Sequence, residues 1–266
     1  MTEEILKKIK QLPPLPESAM QIEAVYQNPD SSFNDMVKIL EKDPLLTADI
    51  LKAANSPLYG FSREINAISQ AVGLFGMGTV RGFALASIVK KSFSLDFSPY
   101  GISNDMFSAL SKKQHGLMTA WCLRKENKLL GVLSPAAFLV EIGKVLIAQQ
   151  IIADKKQVEF RDALKELQNV EEAEREIAGV DTPEVSATIF SQWRFEDRLV
   201  NVIKYCQNPE EAEEEDRRAA SILHVVRVTV PMNGMITDES VAVAKELITK
   251  YGLDMESFDK ALENAR

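Results

Sequence analysis

The sequence predicts an all-α protein on three observations. Helix start and stop signals recur at short intervals along the whole chain. Apolar residues between them repeat at the three- and four-residue spacing of one helix face. No segment alternates as a half-buried strand does. Even the β-branched run His224–Val230 keeps helical spacing through Ala219, Leu223, Val226 and Val230.

A first helix starts at Glu3 and is broken by Pro13, Pro14 and Pro16. A second, from Glu17, carries Met20, Ala24 and Val25 and stops before Pro29. Ser32 and Asp35 read as a capping box with a short acid, ahead of Phe33, Met36, Val37 and Leu40. Asp43-Pro44 is a strong start: the carboxylate accepts first-turn amides, and proline there loses no hydrogen bond. That helix carries Leu45, Leu46, Ile50, Leu51 and Ala54 and ends near Asn55-Ser56-Pro57. Two helices, 68–75 and 80–89, flank Gly73, Gly76 and Gly78. Ser103 caps a helix with Phe107, Leu110, Leu117, Met118 and Trp121. Ser134-Pro135 repeats the cap-then-proline signal and leads into 137–152. The stretch 154–176 is charged and weakly amphipathic. Helices follow from Thr182-Pro183-Glu184, over 196–206, from Asn208-Pro209, and over 238–251 and 254–264. The weakest junction, 207–211, divides a helical domain over 1–208 from a C-terminal helical extension, 209–266, packed on it.

The chain has 266 residues, with 31 Lys+Arg against 39 Asp+Glu and a net charge of -8. This acid excess argues against nucleic acid or an anionic membrane as partner, since both need clustered cations. No apolar run approaches the ~20 residues of a membrane span, and the acidic start Met1-Thr2-Glu3-Glu4 is unlike a secretory leader. Cys122 and Cys206 are two distant thiols, which suits a reducing compartment. A cytoplasmic location is expected. There are two histidines, His115 and His224, too few for any multi-histidine metal site.

Several blocks carry a resemblance in order and spacing. They are Leu12-Pro13-Pro14-Leu15-Pro16, then Asp43-Pro44-Leu45-Leu46-Thr47, then Ile50 through Asn55-Ser56-Pro57-Leu58-Tyr59-Gly60. Ile65, Ile68, Gln70-Ala71-Val72 and Gly76 follow. Together they resemble the HDOD domain over residues 5–208. The resemblance implies an HD-like multi-helix bundle with additional C-terminal helices. It also implies a bacterial regulatory module of signal transduction, related to metal-dependent HD phosphohydrolases whose ligands many members have lost.

That parentage says where ligands would stand. The HD pair of the related enzymes matches Leu139-Val140-Glu141-Ile142-Gly143-Lys144, with Val140 for histidine and Glu141 for aspartate. A later histidine matches Thr182 in Gly179-Val180-Asp181-Thr182-Pro183-Glu184-Val185, and a paired histidine matches Tyr205-Cys206. An early one falls near Ala109 or Leu110. Valine, threonine and a lone carboxylate do not hold a dinuclear centre. The expectation is therefore no metal, no cofactor and no catalytic residue. A relict pocket of Val140, Glu141, Thr182, Tyr205 and Cys206 remains, while Asp43, Pro44, Asn55, Ser56 and Gly76 serve structure.

The other candidates read as structure. His115 lies one position off the apolar face of its helix, as a boundary residue, and His224 as a hydrogen-bonded core residue. Glu141 reads as a paired or solvated carboxylate, Cys206 as a small apolar side chain. Asn55 suits a left-handed cap. Gly73 through Gly78 lacks the strand and Gly-Lys-Ser/Thr of a phosphate loop. A helix-turn-helix with 79–89 as reading helix would offer only Thr79 and Arg81 before apolar residues. Glu210 to Asp216 reads as a solvated helix start. Two functions follow. The first is a non-catalytic module binding other signalling proteins, with self-association as a homo-oligomer left open. The alternative is a cyclic-dinucleotide receptor, or a residual HD-type phosphodiesterase, using the relict pocket.

Overall fold

The computed structural model describes residues 1–59, 63–91 and 93–265. Gly60 of the motif lies outside the described residues. Among them there is no strand.

The helices run α1 (Glu3–Lys10), α2 (Glu17–Gln27), α3 (Phe33–Glu41), α4 (Pro44–Ala54) and α5 (Ile68–Lys91). Next come α6 (Asn104–Cys122), α7 (Leu130–Leu139), α8 (Gly143–Ala153), α9 (Gln157–Leu167) and α10 (Val170–Ala178). The chain finishes with α11 (Thr182–Gln192), α12 (Asp197–Lys204), α13 (Glu214–Thr229), α14 (Asp238–Tyr251) and α15 (Met255–Ala265).

Local chemistry sets many of these boundaries. Asp35 accepts the Ser32 backbone N–H at 2.9 Å. Asp43 accepts the amides of Leu45 and Leu46, both at 3.0 Å. Asn55 ends α4 at φ -85°, not in the left-handed region. Its amide instead donates to Leu51 O and Ile65 O, each at 2.9 Å, and its carbonyl accepts Ile65 N–H at 2.8 Å. Asn55 thus ties both ends of the connection to α5. Ser56 follows with its N–H on Ala53 O.

The two helices expected around the glycines form one bent helix, with Gly76 at φ 79° as the break. Gly78 faces Gly131 of α7, where an added Cβ would come within 2.6 Å of the Gly131 Cα. These glycines serve helix contact.

Helix α7 is the central element, packed by α5, α6, α12 and α13. It is apolar all round and buried from Val132 through Leu139. Ser134-Pro135 therefore does not start a helix as expected. Pro135 sits inside α7, and its missing N–H frees the Gly131 carbonyl. Arg81 of α5 donates to that carbonyl at 3.3 Å. Similarly, Asn208-Pro209 opens only a short 3-10 turn, Pro209–Glu211, and α13 starts at Glu214. Residue 168, at φ 51°, divides the charged stretch into α9 and α10.

The C-terminal helices share the same core. Helix α13 packs on α6, α7 and α12, and α15 on α6. Trp121 of α6 donates its indole N–H to Asp254 O at 2.9 Å. The membrane expectation needs correction. Ile68–Lys91 and Asn127–Ala153 are each long and apolar enough to span by length and composition. In the fold 56% and 89% of their apolar windows are buried, so both are core helices.

Candidate functional site

The turn Val140–Ile142 joins α7 to α8 and aims Glu141 into the interior, where it is 3% exposed. Gly143 N–H donates to Ser186 Oγ at 2.8 Å, and Ser186 Oγ–H donates to Val140 O at 2.7 Å. These bonds clamp the turn to α11. Val140 is fully buried and contributes packing plus that carbonyl.

Glu141 is held by two cations. Arg227 of α13 donates Nε–H to Oε1 at 2.7 Å and Nη2–H to Oε2 at 3.3 Å. Lys144 Nζ lies 3.0 Å from Oε2, and Gln114 Nε2 donates to Oε1 at 3.2 Å. Burial alone would raise the carboxyl's pKa, but Arg227 and Lys144 outweigh it and hold Glu141 well below the usual range. Burial opposes the charge on Lys144 too, yet Glu141 and Glu174 keep it above its ordinary value.

The network extends through α10. Arg227 Nη2 donates to Glu171 Oε1 at 2.5 Å. Lys144 Nζ reaches Glu174 Oε1 at 3.2 Å and Thr182 Oγ1 at 3.0 Å. Glu174 accepts Thr182 N–H and Thr182 Oγ–H, both at 2.6 Å, and Tyr100 O–H at 2.8 Å. Burial and the Glu171 charge nevertheless leave Glu174 above its ordinary value. Cys206 faces Arg227 Nη1 at 3.8 Å, and burial pushes its thiol up to about 12. It is no thiolate at neutral pH. Tyr205 ends α12, half-buried, with Lys204 Nζ 4.8 Å from its ring centre.

Val140, Glu141, Thr182 and Cys206 are thus brought to one ion-pair network. Among the described residues Tyr205 makes no hydrogen bond into it. Sequence reasoning missed Arg227, Lys144, Glu171 and Glu174. The available signals were a lone arginine in the apolar run Val225-Val226-Arg227-Val228 and a glutamate three positions after Glu171. The divalent metal of the related HD phosphohydrolases does not fit these donors. The Glu141 oxygens are taken by cations, the Thr182 hydroxyl is committed, and Arg227 and Lys144 would repel a metal ion.

His115 departs from the boundary expectation. It is fully buried, with Nδ1 2.6 Å from Tyr59 Oη and Nε2 2.7 Å from Ser134 Oγ. Phe138 stacks on its ring at 4.0 Å. His224 Nδ1 lies 2.9 Å from Tyr251 Oη. Burial lowers His115 from 6.5 to about 3; burial, then Arg227, lowers His224 to about 4. Below pH 6.5 the unfolded chain takes up protons that these folded rings refuse. Stability is therefore full above about pH 6.5 and falls on acidification, by up to ~1.4 kcal/mol per pH unit per ring. Urea midpoints at pH 7, 6 and 5 should show this slope, reduced in His115→Gln; an unchanged slope in that variant would refute the assignment.

Arg81, the basic residue of the 79–89 segment, is fully buried and is not presented to solvent. In the acidic run, Asp216 is buried against Arg198 at 3.3 Å, and Glu210 pairs with Lys250. The solvated reading of that run holds only in part.

A protein from Treponema pallidum (strain Nichols) is 33% identical to this chain over 73 residues, 27% of the chain and only 14% of that relative. A protein from Shewanella amazonensis SB2B, provisionally named a phosphohydrolase, superposes with a TM-score of 0.75 at 23% identity, covering 98% of this chain and 94% of its own. One from Marinobacter aquaeolei VT8, provisionally named a signal transduction protein, gives 0.72 at 20% identity over 100% of this chain and 60% of its own. The HDOD domain model matches residues 12–209, taking in the proline-rich start, the Asp43-to-Asn55 helix, Glu141 and Thr182. The chain belongs to the HDOD domain family.

Proposed function

We propose that this protein is a cytoplasmic, non-catalytic regulatory module of signal transduction that acts by binding other proteins. The observation that carries the reading is the engagement of Glu141 by Arg227 and Lys144. Two side-chain cations stand where a hydrolase of this ancestry needs cations of its own and free lone pairs around them. A phosphodiester entering this network would meet Arg227 and Lys144 already paired with glutamates. This disfavours the cyclic-dinucleotide alternative and leaves the surface as the means of recognition. HDOD membership and the name of the Marinobacter relative fit a signalling role.

The test is metal content and turnover. The full chain, dialysed against manganese, should retain well under one equivalent. It should hydrolyse neither a chromogenic phosphodiester nor a cyclic dinucleotide above buffer rate. Stoichiometric manganese with turnover lost in Glu141→Gln would overturn the reading. Cyclic dinucleotides should leave the melting midpoint flat, because only a ligand of the native state raises it.

A further inference from the structure

A cavity of about 420 Å³ opens between α4, α5, α6 and the end of α7 with its following turn. Leu139 and Ile142 line it, whereas Glu141 of the same turn does not. Its floor is apolar and buried: Phe83, Phe107, Phe138, Leu139 and Ile142. Its rim carries Lys52, Lys90, Lys91 and Lys112 against one carboxylate, Asp49. Four lysines less one aspartate leave three positive charges at the mouth, in a chain whose net charge is -8. Such a local inversion of sign draws in anions.

The hydroxyls of the lining are already used. Ser87 Oγ–H donates to Asp49 at 2.6 Å, and Ser111 Oγ–H donates to Phe107 O at 3.4 Å. Ser108 Oγ–H donates to Asn104 O at 2.8 Å and accepts from Lys90. Nothing on the floor is left to read a nucleobase or a sugar, so the buried part of an occupant must be apolar. At the rim, Asp49 is neutralised by Lys91 at 2.8 Å. Lys112 makes no ion pair among the described residues, and it lies one helical turn beyond Ser108, the partner of Lys90. Lys90 and Lys112 therefore stand at the mouth with charge to give.

We propose that this cavity binds a medium-chain acyl anion, its chain against Phe83, Phe107 and Phe138 and its carboxylate met by Lys90 and Lys112. The volume suits a chain of about ten carbons. Phe83 and Phe138 also pack on the His115 ring, at 5.3 and 4.0 Å between centres, so the occupant touches the buried aromatic cluster joining α5, α6 and α7. The site is separate from the Glu141 network, and its occupancy is read by binding alone, whatever the outcome of the metal test.

Calorimetric titration of the full chain with decanoate, kept below its micellar concentration, tests the proposal. Saturable one-to-one binding is expected, with decanol weaker and adenosine monophosphate silent. Lys90→Glu/Lys112→Glu, both exposed positions, should weaken decanoate by about tenfold or more. Ala86→Trp should fill the cavity and abolish binding, with folding checked by circular dichroism. No saturation, a preference for the nucleotide, or binding indifferent to the double lysine variant would each overturn the assignment.

Discussion

Arg227→Met is expected to destabilise the fold by about 3–5 kcal/mol, because removing one partner of a buried pair leaves the other charge uncompensated. For a chain of this size that is a fall of about 10 °C in the melting midpoint. The guanidinium meets Glu141, Glu171 and the Cys206 sulfur, and its side chain is 7% exposed. Without it, three glutamates face Lys144 alone. The double variant Glu141→Gln/Arg227→Met should recover a substantial part of the loss, since the stranded charge is gone. Thermal melts of the three proteins decide the matter. If the single variant melts with the parent, Glu141 does not depend on Arg227, and the proposed function loses its supporting observation.

Arg81→Met is the second large effect. Arg81 is fully buried and donates to Glu23 through Nε and Nη2, at 2.6 and 2.8 Å. Its Nη1 reaches Glu196 at 2.7 Å and Gly131 O at 3.3 Å, and its guanidinium lies 4.2 Å from the centre of the Tyr26 ring. Burial opposes the charge, but the Glu23 and Glu196 partners keep the group above its ordinary value. One side chain thus links α2, α5, α7 and the start of α12. Its loss should cost about 3 kcal/mol or more by the same stranded-charge argument. Arg81→Lys should recover only part, because an ammonium cannot reproduce the planar fork to Glu23. A lysine variant as stable as the parent would show that charge alone suffices.

These two arginines show what was legible. The starts at Asp43-Pro44 and Ser32 were readable because a cap is a bond between residues two or three apart. Ser134-Pro135 misled because the same dipeptide is tolerated inside a helix when a distant donor takes the freed carbonyl, and that donor, Arg81, lies 50 positions away from Gly131. Glu141 was picked out from its motif, but Arg227 lies 86 positions further along, beyond the matched residues 12–209. Glu171 and Glu174 sat in a stretch whose pattern reads only as charged and weakly amphipathic. Glu174 is fully buried all the same, because Lys144, Thr182 and Tyr100 converge on it.

By itself the sequence determined an all-helical chain of the HDOD kind, the capped starts at Ser32 and Asp43-Pro44, and that two imidazoles are all it has. Those properties are local or compositional, so order along the chain is enough to read them. Only the tertiary structure decided that cations from α8 and α13 close on Glu141, that Pro135 lies inside a helix, and that scattered lysines ring one apolar cavity. Each of these depends on charges and carbonyls meeting across helix contacts, and such meetings leave no periodic mark in the chain.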